Sequence, residues 1–363
     1  MLRLDFTYDD LGLVPAAEKT RRSSVSGVQE KVQLKRVRGG YEIVASGGDA
    51  ILKPVPRNTA AKFAADIPVN EHLTMRIAAK VFGVHTAENE LVTLKDGEYA
   101  YLTKRFDRRD GHPIRQEDFC QLSGRSEETH GPNYKYEASY EELADLMRRF
   151  CPSAAVENPK VFFIILFNYV FANGDAHLKN FSLFQSPQGD YILTPAYDLL
   201  NTMIHFPNDP SATALDFFAD GHFTSRYEEL GFYSSADFVE LGRSFGVGEA
   251  EVRTMLALFP SRSAEVEAEI AKSLLEAFGI GFLDGINGNA TMQLQALSCG
   301  NKDGKCRLQT TLAAFNVIEL LCTQVGTESS LRNHIITVCQ CQTSSQNTIA
   351  SMCNICKRST MNK

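Results

Sequence analysis

"NYVFANGDAHLKNFSLF", residues 168–184, places Asp175, His177, Lys179 and Asn180 within six positions, after an apolar helical run and before a short apolar strand. So much polar chemistry at one helix-to-strand corner asks for a chemical reason. A corner between two packed elements is rigid, and rigid supports are what groups that must be preorganised for a reaction require.

The bulk composition limits the alternatives. A chain of 363 residues with 44% apolar content is long enough for one large two-lobed domain or two ordinary ones. No stretch approaches the ~18 uninterrupted apolar residues of a membrane span. The opening MLRLDFTYDDLGLVPAAEKT carries acids where a signal peptide would be apolar. The expectation is a soluble, cytoplasmic protein with no membrane contact. A net charge of −7 argues against extended nucleic-acid binding by this chain, because phosphate contacts need clustered Lys and Arg. DNA contact is expected only through a partner.

Cysteine and charge both change near residue 280. Only Cys120 and Cys151 precede residue 290, whereas seven more crowd the last quarter, and residues 279–363 hold just seven Lys or Arg and four Asp or Glu. Cys339-x-Cys341 and Cys353-x-x-Cys356 match a zinc site only loosely, without the turn glycine of a knuckle. Residues 280–363 are therefore expected to be a weakly ordered or non-ancestral tail.

In the body, residues 28–53 alternate apolar and polar positions around GG breaks, the pattern of a small antiparallel sheet. Residues 70–82 show helical spacing at Leu73, Ile77, Ala78 and Val81, ending at Gly83. Two more strands fit ELVTLKD and YAYLTKRF. From about 139 the pattern becomes helical: SYEELADLMRRF, then PKVFFIILFNYVFANG with Pro159 in its first turn. The latter is apolar all round and should be buried. Strands FSLF and YILTPAYD follow, and helices resume over about 235–278. The fold class expected is α+β: a β-rich N-lobe over 1–124 and a helical C-lobe over 125–279.

A β-rich lobe before a helical one, with polar residues on a loop after a buried helix, is the layout of a protein kinase. Phosphoryl transfer needs a carboxylate to accept the proton of the attacking hydroxyl, and ligands for Mg²⁺. Asp175 precedes Asn180 by five, the separation of base and Mg²⁺-binding Asn in the kinase catalytic loop. Asp198, after the next hairpin, stands where a second Mg²⁺ ligand is expected, although no DFG accompanies it. Lys53 in "AILKP" would place an ammonium at an apolar strand end, costly unless it meets an anion such as phosphate. Glu71, eighteen residues later, is spaced to pair with it from a helix.

The segments "SSVSGVQEKVQLK" (23–35), "AILKP", "NEHLTMRIA", "LTKRFDR" (102–108), "QEDFCQLSG" (116–124), "NGDAHLKNFSLF" and "LTPAYDLLNT" together resemble the HipA-type toxin kinases of bacterial toxin–antitoxin systems. The sequence starts almost at the Ser-Val-Ser loop, which resembles the short HipT form, whose missing N-terminal part is a separate small protein. The resemblance implies a serine/threonine protein kinase using ATP and Mg²⁺. Asp175 would be the base, Asn180 and Asp198 the Mg²⁺ ligands, and Lys53, paired with Glu71, the ATP-phosphate lysine. Backbone groups of Lys104 and Phe106 would hold adenine, and Asp107 the ribose. Lys179 would stabilise the transferring phosphate, and His177 is either part of that machinery or structural. The phosphate-covering loop has Gly27, followed by Val28, where an ordinary kinase has three glycines. Ser24 and Ser26 in it would be autophosphorylated. The implied partners are a small helix-turn-helix antitoxin and a protein substrate, an aminoacyl-tRNA synthetase. Two other readings stay open: a small-molecule phosphotransferase, and an inactive kinase fold that binds the antitoxin.

Overall fold

The computed structural model describes residues 1–13, 30–57, 59–109, 111–206 and 213–273. Ser24, Ser26, Gly27, Val28 and the 280–363 tail lie outside the described residues.

The N-lobe is built on a six-stranded sheet of order β1-β5-β6-β4-β2-β3. A short β1 (Leu2–Arg3), which the sequence pattern did not suggest, runs parallel to β5. β2 (Val32–Val37) and β3 (Gly40–Val44) form a hairpin whose turn uses Gly39 at φ +97°, a left-handed conformation that glycine adopts without a Cβ clash. β4 (Ala50–Pro54) pairs antiparallel with β2 on one side and with β6 (Tyr99–Lys104) on the other, and β5 (Asn89–Thr93) closes on β6.

Alternate strand residues face opposite sides of a sheet. Leu34, Leu52, Val92, Ala100 and Leu102 fill a small core on one face with Leu4 and Phe6. Lys53 and its register partner Tyr101 face the other side, where α1 (Ile67–Lys80) packs on β5 and β6. α1 begins three residues before the predicted start, with Pro68 in its first turn where a missing N–H costs nothing.

After a two-strand hairpin, β7 (Arg108–Arg109) and β8 (His112–Pro113), comes β9 (Gln116–Asp118), a strand the sequence pattern did not reveal. It runs directly into the one-turn α2 (Phe119–Leu122), followed by the equally short α3 (Glu127–His130). α4 (Tyr140–Phe150) is capped by Ser139, whose side chain accepts from the Glu142 N–H.

α5 (Ala154–Val170) runs through the middle of the C-lobe, as expected; Val161, Phe162, Ile165, Leu166 and Phe167 are all buried. It starts five residues before the predicted point, so Pro159 lies inside it rather than in its first turn. The reason is upstream: the Ser153 carbonyl accepts the Val156 and Glu157 N–H groups at 2.8 and 3.0 Å, closing a turn before the proline.

β10 (Ser182–Gln185) lies between β11 (Tyr191–Leu193) and β9, all antiparallel. α6 (Ser225–Leu230), α7 (Ser235–Ser244), α8 (Glu249–Ser261) and α9 (Ser263–Ala271) complete the described C-lobe. One continuous apolar cluster joins α1, α4, α5, α7 and α8, so the two lobes share a core along α1.

Candidate active site

The 168–184 corner is fixed by its own side chains. Beyond α5, Ala172 takes a left-handed φ of +53°. The Asn173 amide donates to Asn168 Oδ1 at 2.8 Å and to the Asp198 carbonyl at 3.1 Å, tying the corner to the later segment. The Gly174 N–H donates to Thr202 Oγ1 at 2.9 Å. Asn180 Oδ1 accepts the His177 N–H at 3.0 Å, closing a short 3₁₀ turn over Leu178–Asn180 that delivers the chain into β10.

Asp198 is positioned from both lobes. Two residues before it, the Ala196 carbonyl accepts the Ala87 N–H at 2.9 Å and the Ala196 N–H donates to the His85 carbonyl at 2.8 Å. Asp198 itself has a left-handed φ of +55°, a conformation in which Asp is among the better tolerated non-glycine residues. Three residues later, the Asn201 N–H donates to Asn70 Oδ1 of α1, and Asn201's carbonyl accepts from the Asn70 amide at 2.8 Å.

These anchors bring the sequence-predicted groups to one cleft of about 320 Å³. Lys31, Lys53, Lys135 and Lys179 supply four ammonium groups to its lining, and Glu71, Asp118, Asp175 and Asp198 four carboxylates. Lys53 Nζ donates to Glu71 Oε1 at 2.6 Å and also to Asp198 Oδ1. Burial alone would lower the Lys53 ammonium, but the charges of Asp198 and Glu71 outweigh it and raise the group above its ordinary value. Burial likewise pushes Asp198 up, and the Lys53 charge more than offsets it, holding the carboxyl below its usual range. Lys53 and Asp198 are therefore both charged at neutral pH.

Lys179 Nζ donates to Asp118 Oδ2 at 2.6 Å. Asp118 closes β9 and caps α2, accepting the Gln121 N–H at 2.9 Å on its other oxygen. His177 is 4% exposed, and burial, reinforced by the Lys135 charge, pushes its imidazole down to about 3. His177 is among the residues that line the cleft.

Lys104, Phe106 and Asp107 lie outside the residues that line the cleft. The Lys104 N–H donates to the Glu88 carbonyl at 2.8 Å. Asp107 pairs with Arg105 at 2.6 Å and Arg108 at 3.2 Å, so a ribose would compete with two guanidinium groups for its carboxylate. Phe106 packs its ring on Phe184 and Tyr197.

Three residues of the site were invisible to sequence reasoning. Tyr136 Oη donates to Asp175 Oδ1 at 2.5 Å, and the Lys135 carbonyl accepts the Leu178 N–H at 3.2 Å. Both lie in a loop between α3 and α4 with no periodicity to mark them. Asp118 stands within "QEDFCQLSG", but pairing with Lys179 across 61 positions leaves no local signal.

The two residues that the motif assigns to Mg²⁺ are neighbours: Asn180 Nδ2 donates to Asp198 Oδ2 at 3.1 Å, while Asn180 Oδ1 accepts the His177 N–H. Mg²⁺ is usually held by one or two carboxylates plus phosphate oxygens, and Asp198 supplies the carboxylate. No cluster of three or more His, Cys, Asp or Glu residues among the described residues forms an all-protein metal cage. No helix among them is long and apolar enough to cross a membrane.

A β-rich lobe and a helical lobe meeting at a cleft with these charges define a protein with a kinase-like fold. The chain belongs to the HipA-like C-terminal domain family, whose model matches residues 23–269. A Haemophilus influenzae protein named "Putative kinase" is 29% identical over 250 residues, covering 64% of this chain and 70% of that one. The serine/threonine-protein kinase toxin HipA of Shewanella oneidensis is 32% identical over 203 residues, 50% of this chain and 43% of the toxin. The chain thus matches less than half of that toxin's length. Among solved structures, HipA in the Shewanella oneidensis complex of HipA, HipB and operator DNA superposes with a TM-score of 0.55 at 23% identity, over 77% of this chain and 66% of that one.

Proposed function

We propose that the protein is an ATP-dependent serine/threonine protein kinase acting as the toxin of a bacterial toxin–antitoxin system. The observation that carries the kinase reading is the Lys53 ammonium held between Glu71 and Asp198 in the cleft that also receives Asp175 and Asn180.

In this reading Lys53 binds ATP phosphate while Glu71 keeps it from collapsing elsewhere. Asp175 orients an acceptor hydroxyl and accepts its proton as the hydroxyl oxygen bonds to the γ-phosphorus; the bond from that phosphorus to the bridging oxygen breaks and ADP leaves. Lys179, aimed by Asp118, offsets charge on the transferring group. Asn180 and Asp198 would hold Mg²⁺, which when bound neutralises phosphate oxygens.

The finer parts of the proposal rest on the motif resemblance: an aminoacyl-tRNA synthetase as target, a helix-turn-helix antitoxin as partner through which DNA is contacted, and the short HipT type. Phosphate on Ser24 or Ser26 would add about two negative charges beside the ATP phosphates and weaken binding. The test is incubation of the purified protein with Mg²⁺ and γ-labelled ATP in a cell extract. A labelled synthetase band is expected; label passing only to small molecules would favour the small-molecule phosphotransferase, and no transfer at all the inactive binding module.

A further inference from the structure

We infer that Tyr136 is a positioning residue for Asp175, holding one oxygen of that carboxylate so that the other faces the acceptor hydroxyl. The inference rests on the reading of Asp175 as the base.

The terminal torsion of an Asp side chain is broad, so a carboxylate alone in a cleft wall does not present a fixed oxygen. Asp175 is 6% exposed, and the Tyr136 hydroxyl donates to its Oδ1 at 2.5 Å, in the short range of a hydroxyl bonded to a charged carboxylate. The phenol is itself fixed. Its ring meets the His177 ring edge-on at 5.1 Å and 73°, and the Lys135 ammonium lies over the ring at 4.9 Å from its centroid.

The backbone is tied down as well. The Tyr136 N–H donates to the Asn133 carbonyl at 2.8 Å, and the Leu178 N–H reaches the Lys135 carbonyl at 3.2 Å. Residues 133–136 are thus fastened to the catalytic loop by main chain, ring and hydroxyl. The neutral His177 ring serves as the wall against which the tyrosine ring is set.

Positioning and occlusion differ in what they do to the rate. Lys135 and Asp175 line the cleft, and Tyr136 is not among the residues that line it. A phenol occupying the acceptor's place would instead compete with substrate.

The experiment compares wild type, Tyr136→Phe, Asp175→Asn and the double variant in steady-state transfer from Mg²⁺ and γ-labelled ATP to the labelled extract protein. Melting curves and binding of a fluorescent ATP analogue report folding and the nucleotide site. Tyr136→Phe keeps the ring, so the fold and the KM for ATP should stay at wild-type values while kcat falls about tenfold, the scale of losing a supporting hydrogen bond to a functional group. In the Asp175→Asn background the same change should lower the residual rate no further.

Wild-type or raised kcat in Tyr136→Phe, with Asp175→Asn inactive, would overturn the positioning role and leave the base assignment standing; a raised value would mark the hydroxyl as a plug. Wild-type transfer by Asp175→Asn would overturn the base reading and the inference with it. Loss of kcat from Tyr136→Phe in the double variant equal to that in the single one would show that the tyrosine acts on folding or on another group.

Discussion

Lys53 Nζ lies 2.6 Å from Glu71 Oε1, joining the middle of the N-lobe sheet to α1, with Glu71 1% exposed. A carboxylate that deep is costly to leave without its cation. In Lys53→Met, Glu71 and Asp198 face each other with the ammonium gone. Stability at neutral pH should fall by about 3 kcal/mol, the scale of breaking a buried pair. The deficit should shrink as pH falls and a carboxylate takes up a proton. Urea unfolding at pH 7 and pH 5 without Mg²⁺ checks this, and an equal or growing deficit at pH 5 would count against it.

Asp118 does two separable things. As N-cap of α2 it needs only a side-chain acceptor, which Asn also offers; as partner of Lys179 it needs a charge. Asp118→Asn should therefore melt near wild type yet transfer phosphate several-fold more slowly. Asp118→Ala should lose about 1 kcal/mol in addition. If the two variants melt alike, the cap is not what Asp118 contributes.

Two buried histidines should make stability fall on mild acidification. Burial pushes His205 down to about 4 and His177 to about 3. The hydrogen bonds of His205 fix its neutral tautomer. Asn70 Oδ1 accepts the Asn201 N–H, so its amide nitrogen faces His205 Nε2 at 2.9 Å and that nitrogen must accept, while Nδ1 donates to the Lys62 carbonyl. Between pH 6.5 and these depressed values the unfolded chain binds protons that the folded chain excludes, so stability drops as pH falls. Each histidine contributes a slope of up to about 1.4 kcal/mol per pH unit. Urea unfolding at pH 7, 6 and 5 should show the decline, and His205→Gln should flatten it; identical slopes in both proteins would contradict the assignment.

Regulation through Ser24 and Ser26 is read by mass spectrometry. Protein with Asp175 intact should carry phosphate on Ser24, Ser26 or both after incubation with Mg²⁺ and ATP, and Asp175→Asn none. Absence of phosphate from both serines in active protein would remove them as a regulatory switch.

Much of this architecture can be read from local pattern. Alternation marked the strands of 28–53, helical spacing marked α1, and an all-round apolar run marked α5, while the five-residue step from Asp175 to Asn180 pointed to a corner that lines the cleft. What stayed hidden depends on distant partners. β9 is three residues long and exists because β10 pairs with it. Tyr136 matters because a loop from 39 positions upstream docks on Asp175. The helix start before Pro159 depends on one serine carbonyl, which no periodicity records. The motif alone assigns Asp107 to a ribose, whereas neighbouring Arg105 and Arg108 claim it at close range.

The central claim is that Asp175 takes the proton of an acceptor hydroxyl. Asp175→Asn preserves shape and removes the capacity to accept it, so the most direct measurement is the transfer rate from γ-labelled ATP by that variant beside wild type, with melting and nucleotide binding as controls. The account predicts unchanged melting and binding with transfer reduced by at least about 10²-fold; transfer at the wild-type rate in a folded, nucleotide-binding Asp175→Asn protein would contradict it.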